Sequence, residues 1–107
     1  MSEISDLIKS KKKPPFEKQV EQRLVQKVKQ MGGQCWKFSS PNNRGVSDRI
    51  VLLNGRVIFI EVKRDKGKMT VTQKRFEKKI LENLGEFVCV TGYQGVDDFI
   101  KVLRNET

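Results

Sequence analysis

The sequence predicts a single α/β domain in which helices flank a mixed central sheet, with elements in the order αβββαβα. Three observations predict it: apolar residues recurring at helical spacing in three separate stretches, four short β-rich runs, and an Asn-Gly dipeptide joining two of those runs. A length of 107 residues suits one compact domain and leaves no room for a second. The expected organisation is a flexible basic arm over residues 1–13 followed by a folded domain over 14–107.

The arm ends in Lys11-Lys12-Lys13, and Pro14-Pro15 breaks any pattern entering from the N-terminus. From Phe16, the residues Val20, Leu24, Val28 and Met31 mark one face of a helix that Gly32-Gly33 terminates. Gln34 to Phe38 reads as a short strand, and the turn formers Ser39 to Gly45 read as a polar loop. Ile50 to Leu53 and Arg56 to Ile60 are β-rich runs separated by Asn54-Gly55, the pair best suited to a turn whose two central residues need positive φ. After a charged loop from Arg64 to Met69, the residues Gln73, Phe76, Ile80 and Leu84 predict the inner stripe of a second helix. Phe87 to Val90 predicts a strand, and Gln94 to Arg104 a last helix facing inward through Val96, Phe99, Ile100 and Leu103.

Charge bears on partners rather than on fold. The chain carries 22 Lys and Arg against 13 Asp and Glu, a net charge of +9, which favours a polyanionic partner. Residues 63–79 concentrate it: Lys63, Arg64, Lys66, Lys68, Lys74, Arg75, Lys78 and Lys79 face only Asp65 and Glu77. The chain has no histidine, which excludes Ser-His and Cys-His nucleophiles and His-ligated metal hydrolysis. Cys35 and Cys89 lie in apolar runs without metal spacing and read as buried thiols of a reducing compartment. No apolar run approaches a membrane span, and the expectation is a soluble intracellular, cytoplasmic protein of a prokaryotic or virus-infected cell.

The hairpin sets a register. If Asn54-Gly55 is a two-residue turn, Leu53 faces Arg56 and Leu52 faces Val57, and continuing the ladder sets Asp48 opposite Glu61. Opposed carboxylates repel and call for compensation, and strand alternation puts Lys63 on the face of Glu61. Two carboxylates converging beside a lysine are what magnesium-assisted phosphodiester hydrolysis needs, because hard divalent ions choose carboxylate oxygens. Glu21 falls within the apolar stripe of the first helix, with Glu17 a rival on the same stripe nearer the helix start. Gln73 is central on the second stripe, yet Thr70-Val71-Thr72-Gln73 also fits a capping box, so support of a site and capping both stand.

These residues resemble the VRR-NUC domain, a branch of the PD-(D/E)XK nucleases with a restriction-endonuclease-like fold. The similar stretches are Glu21 in its helix, Gly32-Gly33 with Trp36-Lys37-Phe38, Gly45-Val46-Ser47-Asp48-Arg49, Phe59-Ile60-Glu61-Val62-Lys63, and Gln73. Ser47 departs from the pattern, which usually has proline there. The resemblance implies a Mg²⁺- or Mn²⁺-dependent endonuclease acting on DNA, with Asp48, Glu61 and the Val62 carbonyl on the metal. It also implies Lys63 on the nucleophilic water, Glu21 near the ion and Gln73 supporting the site. Lys37 matches a basic position of the family, and with Arg44, Arg64, Lys66, Lys68 and Lys74 it forms the expected nucleic-acid contacts. By analogy with stand-alone domains similar to Holliday-junction resolvases, the expected enzyme is a homodimer cutting four-way or branched DNA. Two other readings stand beside it: a non-catalytic basic nucleic-acid-binding module, and the nuclease subunit of a restriction or repair assembly.

Overall fold

The computed structural model describes residues 15–39 and 47–106; the expected arm at 1–13, and Arg44 with most of its loop, lie outside the described residues. Seven elements follow one another: α1 (Glu17–Gln30), β1 (Gln34–Lys37), β2 (Arg49–Leu53), β3 (Arg56–Lys63), α2 (Val71–Glu82), β4 (Glu86–Thr91) and α3 (Gly92–Glu106). The order is the αβββαβα expected from the sequence.

The four strands form one sheet in the order β1-β2-β3-β4. The first two pairings are antiparallel and β3 pairs with β4 in parallel, so the sheet is mixed. A parallel neighbour requires a crossover, and α2 supplies it. Asn54 and Gly55 both take positive φ, 50° and 80°, as the two-residue turn demands. The register follows: Leu53 pairs with Arg56, Leu52 with Val57, and the ladder continues to Arg49 opposite Ile60.

Strand alternation divides the sheet into two unlike faces. Val51, Leu53, Ile58, Ile60, Val62 and Val90 point to one side, where α1 contributes Val20, Leu24 and Val28 and α3 contributes Val96, Ile100 and Leu103. This is the core. Arg23 joins the two helices through a two-bond fork onto Asp97, 2.9 Å for each contact, and lies 4.7 Å from the Tyr93 ring. Gly33, where α1 meets β1, is required by close approach: a Cβ there would come within 2.8 Å of the Leu52 carbonyl oxygen.

The opposite face is covered more thinly. No residue of α2 is fully buried, and the helix is held by rings, with Phe76 packing on Phe38, Phe59 and Phe87 at centroid distances of 5.8–6.3 Å. Edge-to-face pairs of this kind add about 0.5–1.5 kcal/mol each beyond area burial. Only part of the sheet lies under them.

Two expectations shift. The inner stripe of α2 stops at Ile80, because the helix ends at Glu82 and Leu84, at φ 61°, is 93% exposed. The Leu84 and Gly85 amides donate back to the Leu81 and Ile80 carbonyls, closing the helix before Leu84 can face inward. The last helix begins at Gly92 rather than Gln94, since a positive φ of 66° lets Gly92 turn the chain directly out of β4.

Candidate active site

At the C-terminal end of β3, on the face shared with α2, Glu61 is 1% exposed. Its position follows from alternation: Phe59 and Glu61 face α2 while Ile60 and Val62 enter the core. Burying a carboxylate costs several kcal/mol unless partners replace water. One oxygen is served. Glu61 Oε2 accepts from Gln73 Nε2 at 3.0 Å and lies 3.6 Å from Lys63 Nζ. The other, Oε1, is buried with no hydrogen-bond partner among the described residues.

Asp48 stands just beyond the β2–β3 ladder, whose last pair is Arg49 with Ile60. Its backbone carbonyl accepts from the Phe38 amide at 3.0 Å, and its Oδ2 accepts from the Val62 amide at 2.9 Å. The carboxylate therefore supplies an acceptor where the strand has ended, which fixes Asp48 beside Glu61. Burial first, then the close Asp48 carboxyl, push the Glu61 carboxyl up to about 8, against the lowering pull of Lys63. A buried acid and a half-buried one have been brought together. The nearby Asp48 carboxylate raises the cost of charging Glu61.

Gln73 makes the contacts that both of its sequence readings call for, one to the helix cap and one to Glu61. Its Oε1 accepts from the Thr70 amide at 2.8 Å, while Thr70 Oγ1 accepts from the Gln73 amide at 3.2 Å, completing the capping box of α2. That contact fixes the amide plane. Nε2 is thereby turned toward Glu61.

The donor set fits a hard divalent cation. Magnesium is ordinarily held by one or two carboxylates with water and substrate oxygens completing the shell, and the orphaned Glu61 Oε1 beside Asp48 offers such an edge. Among the described residues there is no group of three or more His, Cys, Asp or Glu side chains able to hold a metal.

No family model matches the chain. It is 39% identical over 89 residues to "Putative nuclease p44" of Acyrthosiphon pisum secondary endosymbiont phage 1, covering 82% of this chain and 95% of the phage protein. The chain belongs to the family of that phage protein. A solved structure described as "VRR_NUC domain" superposes with a TM-score of 0.72 at 24% identity, over 79% of this chain and 94% of that one. The fold is VRR-NUC-like, as the motifs implied.

Within this VRR-NUC-like frame, Asp48, Glu61, Lys63 and Gln73 are brought together. Glu21 is not. Its Oε1 accepts from Arg49 Nε at 2.8 Å and lies 4.0 Å from Lys37 Nζ. Arg49 and Lys37 alternate with Asp48 and Trp36, so Glu21 is engaged on the opposite face of the sheet from Glu61. The acid of α1 coupled to the cluster is Glu17, whose carboxyl is raised first by partial burial and then by Asp48. One helical turn decides this, because Glu17 lies at the end of α1 nearest the strand termini and Glu21 already lies beneath the sheet. The Arg49 partner had no signal in the sequence.

The remaining residues form a basic rim. Arg64, Lys66, Lys68 and Lys74 are all exposed between the end of β3 and the first turn of α2. Arg64 lies 5.6 Å from the Phe16 ring, and Lys66 adopts positive φ, 64°. Lys37 is 71% exposed at its side chain. Cys35 is buried and its thiol is pushed up to about 11 by desolvation, while Cys89 is half-buried; both are free. No described helix is long and apolar enough to cross a membrane.

The Glu61 environment has a consequence for stability in the absence of metal. The fold raises this carboxyl to about 8 from an ordinary value of 4.5, so it favours the protonated form. That stabilisation is fully present below the ordinary value and is lost as pH rises through about 8. In chelator, the melting temperature of the wild type should fall between about pH 5 and about pH 8.5 by more than that of Glu61→Gln. Parallel curves for the two proteins would show that Glu61 carries no such penalty.

Proposed function

We propose that this chain is a Mg²⁺- or Mn²⁺-dependent endonuclease that hydrolyses DNA phosphodiester bonds. The observation that carries the reading is the buried, unpartnered Glu61 Oε1 beside Asp48. A fold that excludes water from a carboxylate oxygen and gives it no donor leaves a position that a cation satisfies. A purely basic binding module has no use for it, because buried acids next to a phosphate repel unless a cation intervenes.

In this reading Asp48 and Glu61, with the Val62 carbonyl, would hold the cation. When bound, the ion polarises a phosphate oxygen and acidifies a water. Lys63 orients that water and offsets charge developing on the phosphate. Gln73 holds the Glu61 carboxylate in plane through Nε2, leaving Oε1 free. Glu17 is the α1 acid we assign to the approach of the site, and Glu21 keeps Arg49 and Lys37 in place. Arg64, Lys66, Lys68, Lys74 and Lys37 hold backbone phosphates, and Arg44 is assigned the same role on sequence alone. The related phage protein is named a nuclease, which supports the reaction class.

We extend the proposal to a homodimer acting on branched or four-way DNA inside the cell. One site cuts one strand, and two-fold symmetry is the commonest way to present two. The outer side of edge strand β4 supports this reading: with α3 it forms a groove of about 440 Å³ lined by Val88, Phe99 and Val102 among others.

Three experiments test these assignments. Asp48→Asn and Glu61→Gln should abolish cleavage while DNA binding is retained or strengthened, and Lys63→Ala should slow cleavage by about 100 to 1,000-fold; wild-type rates in these variants would sink the site. Thr70→Ala and Gln73→Ala should each cost about 1 kcal/mol in denaturation as cap losses. Only Gln73→Ala should also slow cleavage, since it alone removes the Glu61 donor, and equal wild-type rates in both would leave capping as the whole role. Light scattering should give the mass of a dimer, and a strict monomer that still makes paired cuts would overturn the assembly.

A further inference from the structure

The sheet face that carries the carboxylates is only half covered, and what lies open is ordered in rows. Pairing sets Phe38, Asp48 and Glu61 in one row across β1, β2 and β3, and Trp36, Ile50 and Phe59 in the next. Phe59 packs beneath Phe76 of α2, 5.8 Å between centroids. Ile50 is half-buried and Trp36, at the edge strand, is 57% exposed. Cover thins out across the row. Among the described residues no other ring packs on the indole.

A large exposed ring costs solubility and gives nothing to this core, so the row position is informative. Along the strand, two residues separate Trp36 from the carboxylate row, roughly 7 Å; across the sheet, two strand spacings separate it from Glu61, roughly 10 Å. The resulting separation, roughly 12 Å, lies within the reach of a few nucleotides of strand. The next residue, Lys37, alternates to the opposite face of the same edge strand, where its ammonium lies 4.0 Å from Glu21. An exposed ring on the face that carries the acidic site, on a chain of net charge +9, matches the aromatic element of the stacking platforms of single-strand binding proteins.

We propose that the Trp36 indole stacks on an unpaired base a few nucleotides from the scissile phosphate, so that the enzyme selects nucleic acid whose strands have separated next to the cut. This inference rests on the nuclease reading for the position of the phosphate. It goes beyond that reading in naming the feature that distinguishes substrates, an unpaired base rather than a sequence or a junction as such. In a blunt duplex the bases are stacked on each other and present no face to the ring. At a flap, a junction branch or a single-stranded end, a base is free to leave its neighbours. Stacking of this kind is sequence-tolerant, because every base has a π face.

The chain has one tryptophan, so its emission, excited selectively over tyrosine, reports this ring alone. The full chain would be titrated in chelator with a mixed-sequence single strand, a blunt duplex, and the same duplex bearing a single-stranded flap, with anisotropy of a labelled strand measuring binding in parallel. The expected result is quenching by the single strand and the flap and little by the blunt duplex. Trp36→Ala should weaken the first two about tenfold and leave duplex affinity and the helical circular dichroism unchanged, and Trp36→Phe should restore most of the loss. Binding without quenching, an equal loss for all three nucleic acids, or failure to bind the single strand would overturn the proposal. So would a change of particle mass in Trp36→Ala, which would make this face a contact between protein copies. None of these readouts needs cleavage, so an inactive protein that quenches selectively would refute the nuclease reading and leave only the stacking of Trp36 on an unpaired base standing.

Discussion

A carboxylate taken out of water at the end of the longest strand governs the rest of this structure. Glu61 is nearly inaccessible, it stands beside a second acid, and its charge is met on one oxygen by an amide and an ammonium. Such a group is expensive in any fold. The surrounding elements hold Glu61 and its neighbours in place. The β2–β3 hairpin fixes Asp48 against it, the Val62 amide anchors Asp48, and the cap of α2 fixes the amide that touches Glu61.

That last connection couples two parts of the fold that are usually considered separately. A glutamine at the third position of a helix ordinarily serves only the helix start. Here the same side chain has two ends, and the end that caps determines where the other end points. The first turn of α2 therefore carries the site geometry as well as the basic rim. Its thin packing, rings without fully buried residues, leaves this cap with a larger share of the positioning than it would have on a buried helix.

What the sequence made legible was whatever depends on periodicity and on a single turn. Asn54-Gly55 alone fixes the hairpin register, and from it the neighbourhood of Asp48, Glu61 and Lys63 follows without any tertiary knowledge. Glu21 and Glu17 were not separable in that way, because both lie on the inner stripe of α1 and their assignment depends on where the helix crosses the sheet. The helix crosses so that Glu21 meets Arg49 while Glu17 reaches the strand ends. Leu84 was misassigned for a local reason: periodicity continues through it, but the chain turns left-handed there and the stripe ends. Gln73 had two readings, and the folded geometry shows one side chain making both the cap contact and the contact to Glu61.

We propose that Asp48 and Glu61 hold a divalent cation before any nucleic acid arrives. Electron paramagnetic resonance of Mn²⁺ titrated into the purified chain measures this directly, because bound ion loses the signal of free ion. The account predicts saturable uptake of one Mn²⁺ per chain by the wild type, with uptake lost when Asp48→Asn and Glu61→Gln are combined. Uptake by the doubly substituted chain equal to that of the wild type would contradict it.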